Sequence, residues 1–420
     1  MQSLIACSTF ALAVTLAVKR PKIGFGVRIS PASAAVAGLV CLLLSRTVGP
    51  NDIRFAFETL WRPLVGIVSI MITTAAARRV GVIDAIAQAT LARRSGSVHQ
   101  VFRRVFLLSL GTASLLSNDA AVLLLTPLVL AFIRTRYPAH PRLLLPFAFA
   151  VFMAAGVAPF VISNPMNMVV ASYAGLDFNG YAAAMLPIAL AGSLLTFLLL
   201  RRVFAADLSA CAATVAEAAP ARAFNRSQIR MLTLLFGVAA SYPLVAAFDG
   251  AAIWAVAAIG ATLALLLAWR EERVSPANVL RTGVAWDVLV FLPAVFVLTI
   301  GLRNVGLVDL LSAWYRDAGV VLIGATSAIG SAALNNHPMA LVNMLALDAR
   351  PGTGSLEFLA ALVGGDLGPR LLPTGSLAGL LWLESCRRLG VEIPPGTFVR
   401  VGVVLTVPTL IASLALLAIL

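Results

Sequence analysis

Long apolar stretches without charge dominate this chain and decide the solvent it can fold in. One runs from Leu4 to Val18, and others of similar character lie near 30–48, 62–78, 143–175, 181–200, 231–248, 251–269, 284–301, 357–384 and 398–419. A helix that crosses a bilayer needs about 20 apolar residues. Over the 420 residues, 60% are hydrophobic and 12% are charged, and the mean hydropathy is +0.96. A soluble domain carries about 25% charged residues, so the expected fold class is an all-α polytopic membrane protein. The apolar stretches are continuous rather than alternating, which argues against a membrane β-barrel.

The polar residues exclude several functions. The formal net charge is +13, but in a polytopic chain a basic excess belongs to cytoplasmic loops, and no nucleic-acid partner is expected. The only lysines, Lys19 and Lys22, stand near the start; a Walker A loop needs a Gly-Lys pair, so the chain carries no ATPase of that kind. Cys7, Cys41, Cys211 and Cys386 are far apart, which predicts no disulfide framework, metal site or cofactor. The first apolar stretch precedes its basic residues, the reverse of a cleaved signal, and reads as an uncleaved first span.

Two further stretches, 105–133 and 319–346, are interrupted at their centres by Ser117-Asn118-Asp119 and by Asn335-Asn336-His337-Pro338. A long apolar stretch with a polar middle fits a helical hairpin that enters and returns on one side. Such backbone is tolerated at membrane depth only inside protein or beside water. With both stretches as hairpins and the N-terminus outside, most basic residues fall on the inner side: Lys19 to Arg28, Arg78 to Arg104, Arg134 to Arg142, Arg201 to Arg230, Arg270 to Arg281 and Arg387 to Arg400. A simple crossing at 105–133 would invert every later loop and violate the positive-inside rule.

This arrangement divides the chain into a first repeat (1–200), a cytoplasmic linker (201–230) and a second repeat (231–420). Each repeat has five spans' worth of chain plus its re-entrant hairpin, and each contains one broken span, 143–175 or 357–384. The second repeat starts on the opposite side, giving an inverted repeat, a transporter plan whose site lies near the midplane. The basic, amphipathic residues 80–104 are expected to form a surface helix. The broken spans carry Ser163-Asn164-Pro165-Met166-Asn167 and Gly364-Gly365-Asp366-Leu367-Gly368-Pro369 followed by Pro373-Thr374-Gly375-Ser376. Glycine and proline unwind a helix and free backbone groups. The amides, hydroxyls and Asp119 or Asp366 either satisfy those groups as caps or face a solute; intramembrane carboxylates favour the second reading. His337 reads as closing a turn, and Glu384 as an interfacial charge beside Arg387 and Arg388. Arg370 is the only basic group within a break, too little positive charge for a di- or tricarboxylate.

These motifs resemble those of bacterial arsenite efflux pumps, within the wider ion-transporter superfamily. The resemblance rests on Gly301-Leu302-Arg303-Asn304-Val305-Gly306-Leu307, Leu334-Asn335-Asn336-His337-Pro338 and the run Gly365-Asp366-Leu367-Gly368-Pro369 to Pro373-Thr374-Gly375-Ser376-Leu377, with Ser117-Asn118-Asp119-Ala120-Ala121, Thr126-Pro127, Ser163-Asn164 and Asn167 in the first half. It covers most of the chain from about residue 60. Pro165-Met166 and His337 depart from the family pattern and bear on substrate preference more than on fold. The resemblance implies a multi-pass protein of the inner (plasma) membrane, not an enzyme, that exports arsenite and usually antimonite in exchange for protons. Some relatives also associate with a separate cytosolic ATPase subunit.

The chemistry accords with this. Arsenite near neutral pH is mostly the uncharged As(OH)3, which amides and hydroxyls can bind by paired donor and acceptor bonds. Asn118, Asn164, Asn167, Asn336, Thr374 and Ser376 are therefore the expected solute ligands. Burial favours the neutral form of a carboxyl, so Asp119 and Asp366 are the expected proton carriers. The alternative is a sodium/proton antiporter of the same superfamily. A passive channel is a further alternative. An aspartyl membrane protease would want Gly-x-Gly-Asp, and Val363-Gly364-Gly365-Asp366 lacks the first glycine. An intramembrane serine protease would need a partner histidine, and His337 is the only deep one.

Overall fold

The computed structural model describes residues 1–22, 28–91, 97–210, 223–248 and 253–420, and the regular elements among them are all helical. The first half runs α1 (Gln2–Lys19), α2 (Pro31–Leu44), α3 (Pro50–Arg79), α4 (Val82–Leu91), α5 (Val98–Leu115), α6 (Asn118–Arg136), α7 (Leu144–Ala154), α8 (Pro165–Tyr173) and α9 (Phe178–Val203). After the short α10 (Ala205–Ser209), the second half runs α11 (Arg226–Ala246), α12 (Ile253–Glu272), α13 (Pro276–Gly283), α14 (Trp286–Asn304), α15 (Leu307–Trp314), α16 (Val320–Leu334), α17 (Asn336–Asp348), α18 (Ser355–Leu367), α19 (Leu377–Arg388) and α20 (Pro395–Leu417). Of the linker expected at 201–230, residues 211–222 lie outside the described residues.

Eight of these helices are long and apolar enough to cross a membrane. Seven of them are expected spans and the eighth, α6, is a hairpin arm; of the remaining expected spans, 30–48 is the short helix α2, and 143–175 and 357–384 are in pieces because their sequences are interrupted. Both interrupted stretches fold back on themselves: α5 packs against α6, and α16 against α17. The first hairpin is longer than expected, since α5 begins at Val98. Val98, Val101, Phe102 and Val105 keep one buried face through the basic segment, so part of the expected surface helix becomes a hairpin arm. Only α4 remains separate. α3 is also longer, with 30 residues, or roughly 45 Å, while α2 has 14.

The two broken spans do not fold back. α7 packs on its own hairpin, against α5 and α6, whereas α8 packs on α3, α17 and α18. Correspondingly, α18 packs on α16 and α17, whereas α19 packs on α6 and α7. The leading piece of each broken span thus stays with its own hairpin, and the trailing piece crosses to the hairpin of the other half. Around this centre α2 pairs with α14 and α12 with α3, and α9 lies against α20. The Arg303-Asn304 motif anchors this frame: Asn304 Nδ2 donates to Thr47 O and Asp52 Oδ2, both at 3.1 Å, tying the end of α14 to the α2–α3 turn. Glu384 pairs with Arg387 and Arg388 on the exposed end of α19, at 2.7 and 2.9 Å.

Candidate functional site

Each break is made by residues that stop one helix and start another. α7 is wholly apolar and ends at Ala154, followed by Gly156 and Pro159. α8 then starts at an Asn-Pro pair: Pro165 occupies the first turn, where its missing N–H costs nothing, and Asn164 Oδ1 accepts from Met166 N–H at 3.3 Å. In the second half α18 passes into a short 3-10 turn, Gly368–Arg370, and α19 starts behind Ser376, whose Oγ accepts from Gly379 N–H at 2.9 Å.

The hairpin tips have the same logic. Ser117 Oγ caps α6 by accepting from Ala120 N–H at 3.0 Å, and Asp119 stands in the first turn, where a negative charge suits the helix dipole. At the second tip it is Asn335, not Asn336, that caps α17, through His337 N–H at 3.4 Å. His337 thereby closes a turn, and its buried ring lies edge-on to Phe291 with centroids 6.5 Å apart. Each tip touches the break of its own half. Asn118 Nδ2 donates to Gly156 O at 3.5 Å and Ser163 Oγ to Ser114 O at 2.6 Å; Asn336 N–H donates to Gly375 O at 3.1 Å.

The two breaks meet at one pair. Asn164 Nδ2 donates to Asp366 Oδ1 at 2.9 Å, with both residues buried. Asp366 Oδ2 has no protein partner. Asn164 also lines a cavity of about 270 Å³ together with Ser117, Asp119, Pro165 and Met168. The remaining wall includes Ile67, Met71, Val288 and Leu377, and exposed Arg78, Arg79 and Thr282 stand at the mouth.

Of the expected residues, the structure thus brings Asp119 and Asn164 to one cavity and Asp366 to Asn164. The others lie around the breaks without lining that cavity. Asn167 is buried and donates to Phe160 O at 3.1 Å, leaving its Oδ1 unpartnered. Asn336 Oδ1 is buried and unpartnered as well. Ser376 is engaged as a cap, and Thr374 is exposed. Sequence reasoning passed over Ser117 as a cavity residue and Asn335 as a cap. Both were signalled by Ser or Asn immediately before a helical stretch. It also gave Arg370 no role. This guanidinium is buried between the breaks, with Nη2 donating to Met153 O at 2.6 Å; a backbone carbonyl as partner leaves no mark in the sequence.

A polytopic bundle with two hairpins and two helices broken at a shared polar crossing defines a membrane transporter of the broken-helix kind. The model of the arsenical pump membrane protein family, ArsB, matches residues 5–420, and the chain belongs to that family. It is 31% identical over 436 residues to an arsenical pump membrane protein of Escherichia coli, covering 99% of this chain and 98% of that protein. The arsenical pump membrane protein of Yersinia enterocolitica is 30% identical over the same shares. A putative arsenical pump membrane protein of Bacillus subtilis is 24% identical, covering 93% of this chain and 94% of its own. Among solved structures, the YdaH transporter of Alcanivorax borkumensis superposes with a TM-score of 0.62 at 17% identity, covering 100% of this chain and 98% of that one; the likeness is one of fold.

Proposed function

We propose that this protein exports arsenite, and antimonite with it, across the inner membrane in exchange for protons. The Asn164–Asp366 pair, set at the crossing of the two breaks and beside a cavity that also holds Asp119, carries this reading. As(OH)3 offers three O–H donors and three acceptor oxygens and no charge. An ionised Asp366 accepts from a solute hydroxyl at its free Oδ2 while the Asn164 amide donates. Protonation turns that acceptor into a donor and replaces a charge-assisted hydrogen bond by a weaker neutral one, so proton and solute oppose each other at one group. Such competition is a coupling free energy between two ligands, and it drives exchange when access alternates between the two faces.

The exposed cavity residues Arg78, Arg79 and Thr282 stand at the ends of α3 and α13, on the side that the positive-inside rule assigns to the cytoplasm; arsenite enters from that side. Asp119, in the same cavity, serves as the second proton carrier. Asn164 contacts the solute directly. Asn118, Asn167, Asn336, Thr374 and Ser376 complete the polar ring of the two elbows. We further propose that the halves are inverted repeats. The reciprocal crossing of α8 and α19, and the matched pairs α2–α14 and α12–α3, are what a two-fold axis in the membrane plane would produce.

Arsenite uptake into everted vesicles tests the assignment. Asp366→Asn and Asp119→Asn are expected to lose proton-driven uptake while the protein still reaches the membrane. Full proton-driven uptake in both variants would discard the two carriers. Sodium flux without arsenite, measured on the same vesicles, would favour a sodium/proton antiporter instead.

A further inference from the structure

Unwinding a helix leaves carbonyl oxygens without partners, and in broken-helix transporters the freed carbonyls and the C-terminal ends of half-helices commonly hold a coupling cation. Hard cations take carboxylate, carbonyl and hydroxyl oxygens. This protein has such an oxygen set at the end of α7. Met153 O is freed by the break, and the hydroxyls of Thr196 on α9 and Thr409 on α20 lie 3.3 Å apart. The Asp366 carboxylate stands one helical turn before Arg370 with one oxygen unpartnered. No free ion is needed to balance these oxygens, because the Arg370 guanidinium is already among them. It donates to Met153 O at 2.6 Å and to Thr196 Oγ1 at 3.5 Å, and is 3% exposed.

The surrounding backbone is shaped to this side chain. Any side chain at Gly156 would collide with the Arg370 guanidinium, and one at Gly402 on α20 would collide with the Arg370 carbonyl. Gly156 thus leaves room for the guanidinium, and Gly402 for the backbone that carries it.

We infer that Arg370 is a tethered cation: it fills, by covalent attachment, the place a free alkali cation would otherwise take at the break, and so makes this carrier independent of sodium. It acts as a positioning and specificity-determining residue and does not touch the solute. The Asp366 carboxylate and the Arg370 guanidinium, one helical turn apart, offset each other's charge at the crossing without any imported ion, which suits a neutral cargo. The inference rests on the transport reading above only for its vesicle assay. Sodium binding is measured without arsenite or a proton gradient, so either reading can fail alone.

The test uses purified full-length protein and radiolabelled sodium. The wild type is expected to show no saturable binding, and its arsenite uptake in vesicles is expected to be the same in sodium chloride and choline chloride. Arg370→Gln is expected to gain saturable sodium binding, which Arg370→Gln combined with Asp366→Asn loses again, while Arg370→Lys retains sodium independence. Saturable sodium binding by the wild type, or a fall in its uptake in choline, overturns the inference, and these measurements decide the matter even if the glutamine variant is not recovered. A monodisperse Arg370→Gln protein that binds no sodium overturns it equally.

Discussion

Around the first hairpin the contacts are rings. Phe102 lies edge-on to Phe147 with centroids 5.4 Å apart, Phe106 meets Phe197 at 5.2 Å, and Trp382, on the α19 piece that crosses over, stacks on Phe152 at 4.5 Å. Around the second they are glycines and hydrogen bonds. Gly364 of α18 and Gly368 of the turn that follows it lie directly on backbone carbonyls of α16, those of Gly324 and Ala328. A buried polar chain then runs from Tyr315 through Asn343 to Ser327: the Tyr315 hydroxyl is 2.8 Å from Asn343 Oδ1, Asn343 Nδ2 donates to Ser327 Oγ at 2.8 Å, and Ser327 Oγ donates to Ala361 O. Two hairpins with one plan are thus fastened by different means. Small residues let helix backbones approach within the bilayer, at the price of tolerating no added atom. Ring packing is less exacting about which apolar side chain fills the space.

The largest expected effect follows from the closest approach. Gly364→Leu would place atoms on the Gly324 carbonyl, and no folded protein is expected by size-exclusion chromatography in detergent; normal recovery would end the distinction between the hairpins. Trp382→Ala removes the ring that joins α19 to the first hairpin's side of the bundle, and a loss of about 3–5 kcal/mol is expected for a fully buried aromatic, read as a lowered melting temperature. Asn343→Ala breaks the polar chain and leaves the Tyr315 hydroxyl without a partner, at a cost of roughly 1–3 kcal/mol; a smaller loss would mean that the second hairpin relies on its glycines alone. Leu125→Met, a change of shape but little of volume inside the first hairpin, is expected to cost less than about 1.5 kcal/mol. A larger cost there would show the aromatic side to be as exacting as the glycine side.

The breaks were legible because polar and helix-breaking residues stand out against apolar sequence. Ser117-Asn118-Asp119, Asn335-Asn336, Asn164-Pro165 and Gly368-Pro369 each mark a real interruption. Less visible was where the chain goes afterwards. Nothing local in α8 or α19 says that it packs on the opposite hairpin, since an apolar piece fits any apolar neighbour and the choice is made by tertiary packing. The extension of α5 back to Val98 was hidden by Arg103 and Arg104, of which Arg103 is exposed and Arg104 half-buried. Of the site, the carboxylates and amides could be named from the chain, but not which of them meet. The Asn164–Asp366 bond joins residues 202 positions apart.

That separation has a consequence for biogenesis. At a synthesis rate of about 5–20 residues per second, Asn164 enters the membrane roughly 10–40 s before Asp366 is made. Throughout that interval α8 also lacks α17 and α18, the helices it will pack upon. The early half must wait as an unfinished bundle with its elbow open, and only the late arrival of α17 to α19 closes it. A chain that stalls before α17 leaves Asn164 without its Asp366 partner and α8 without two of the helices it packs upon.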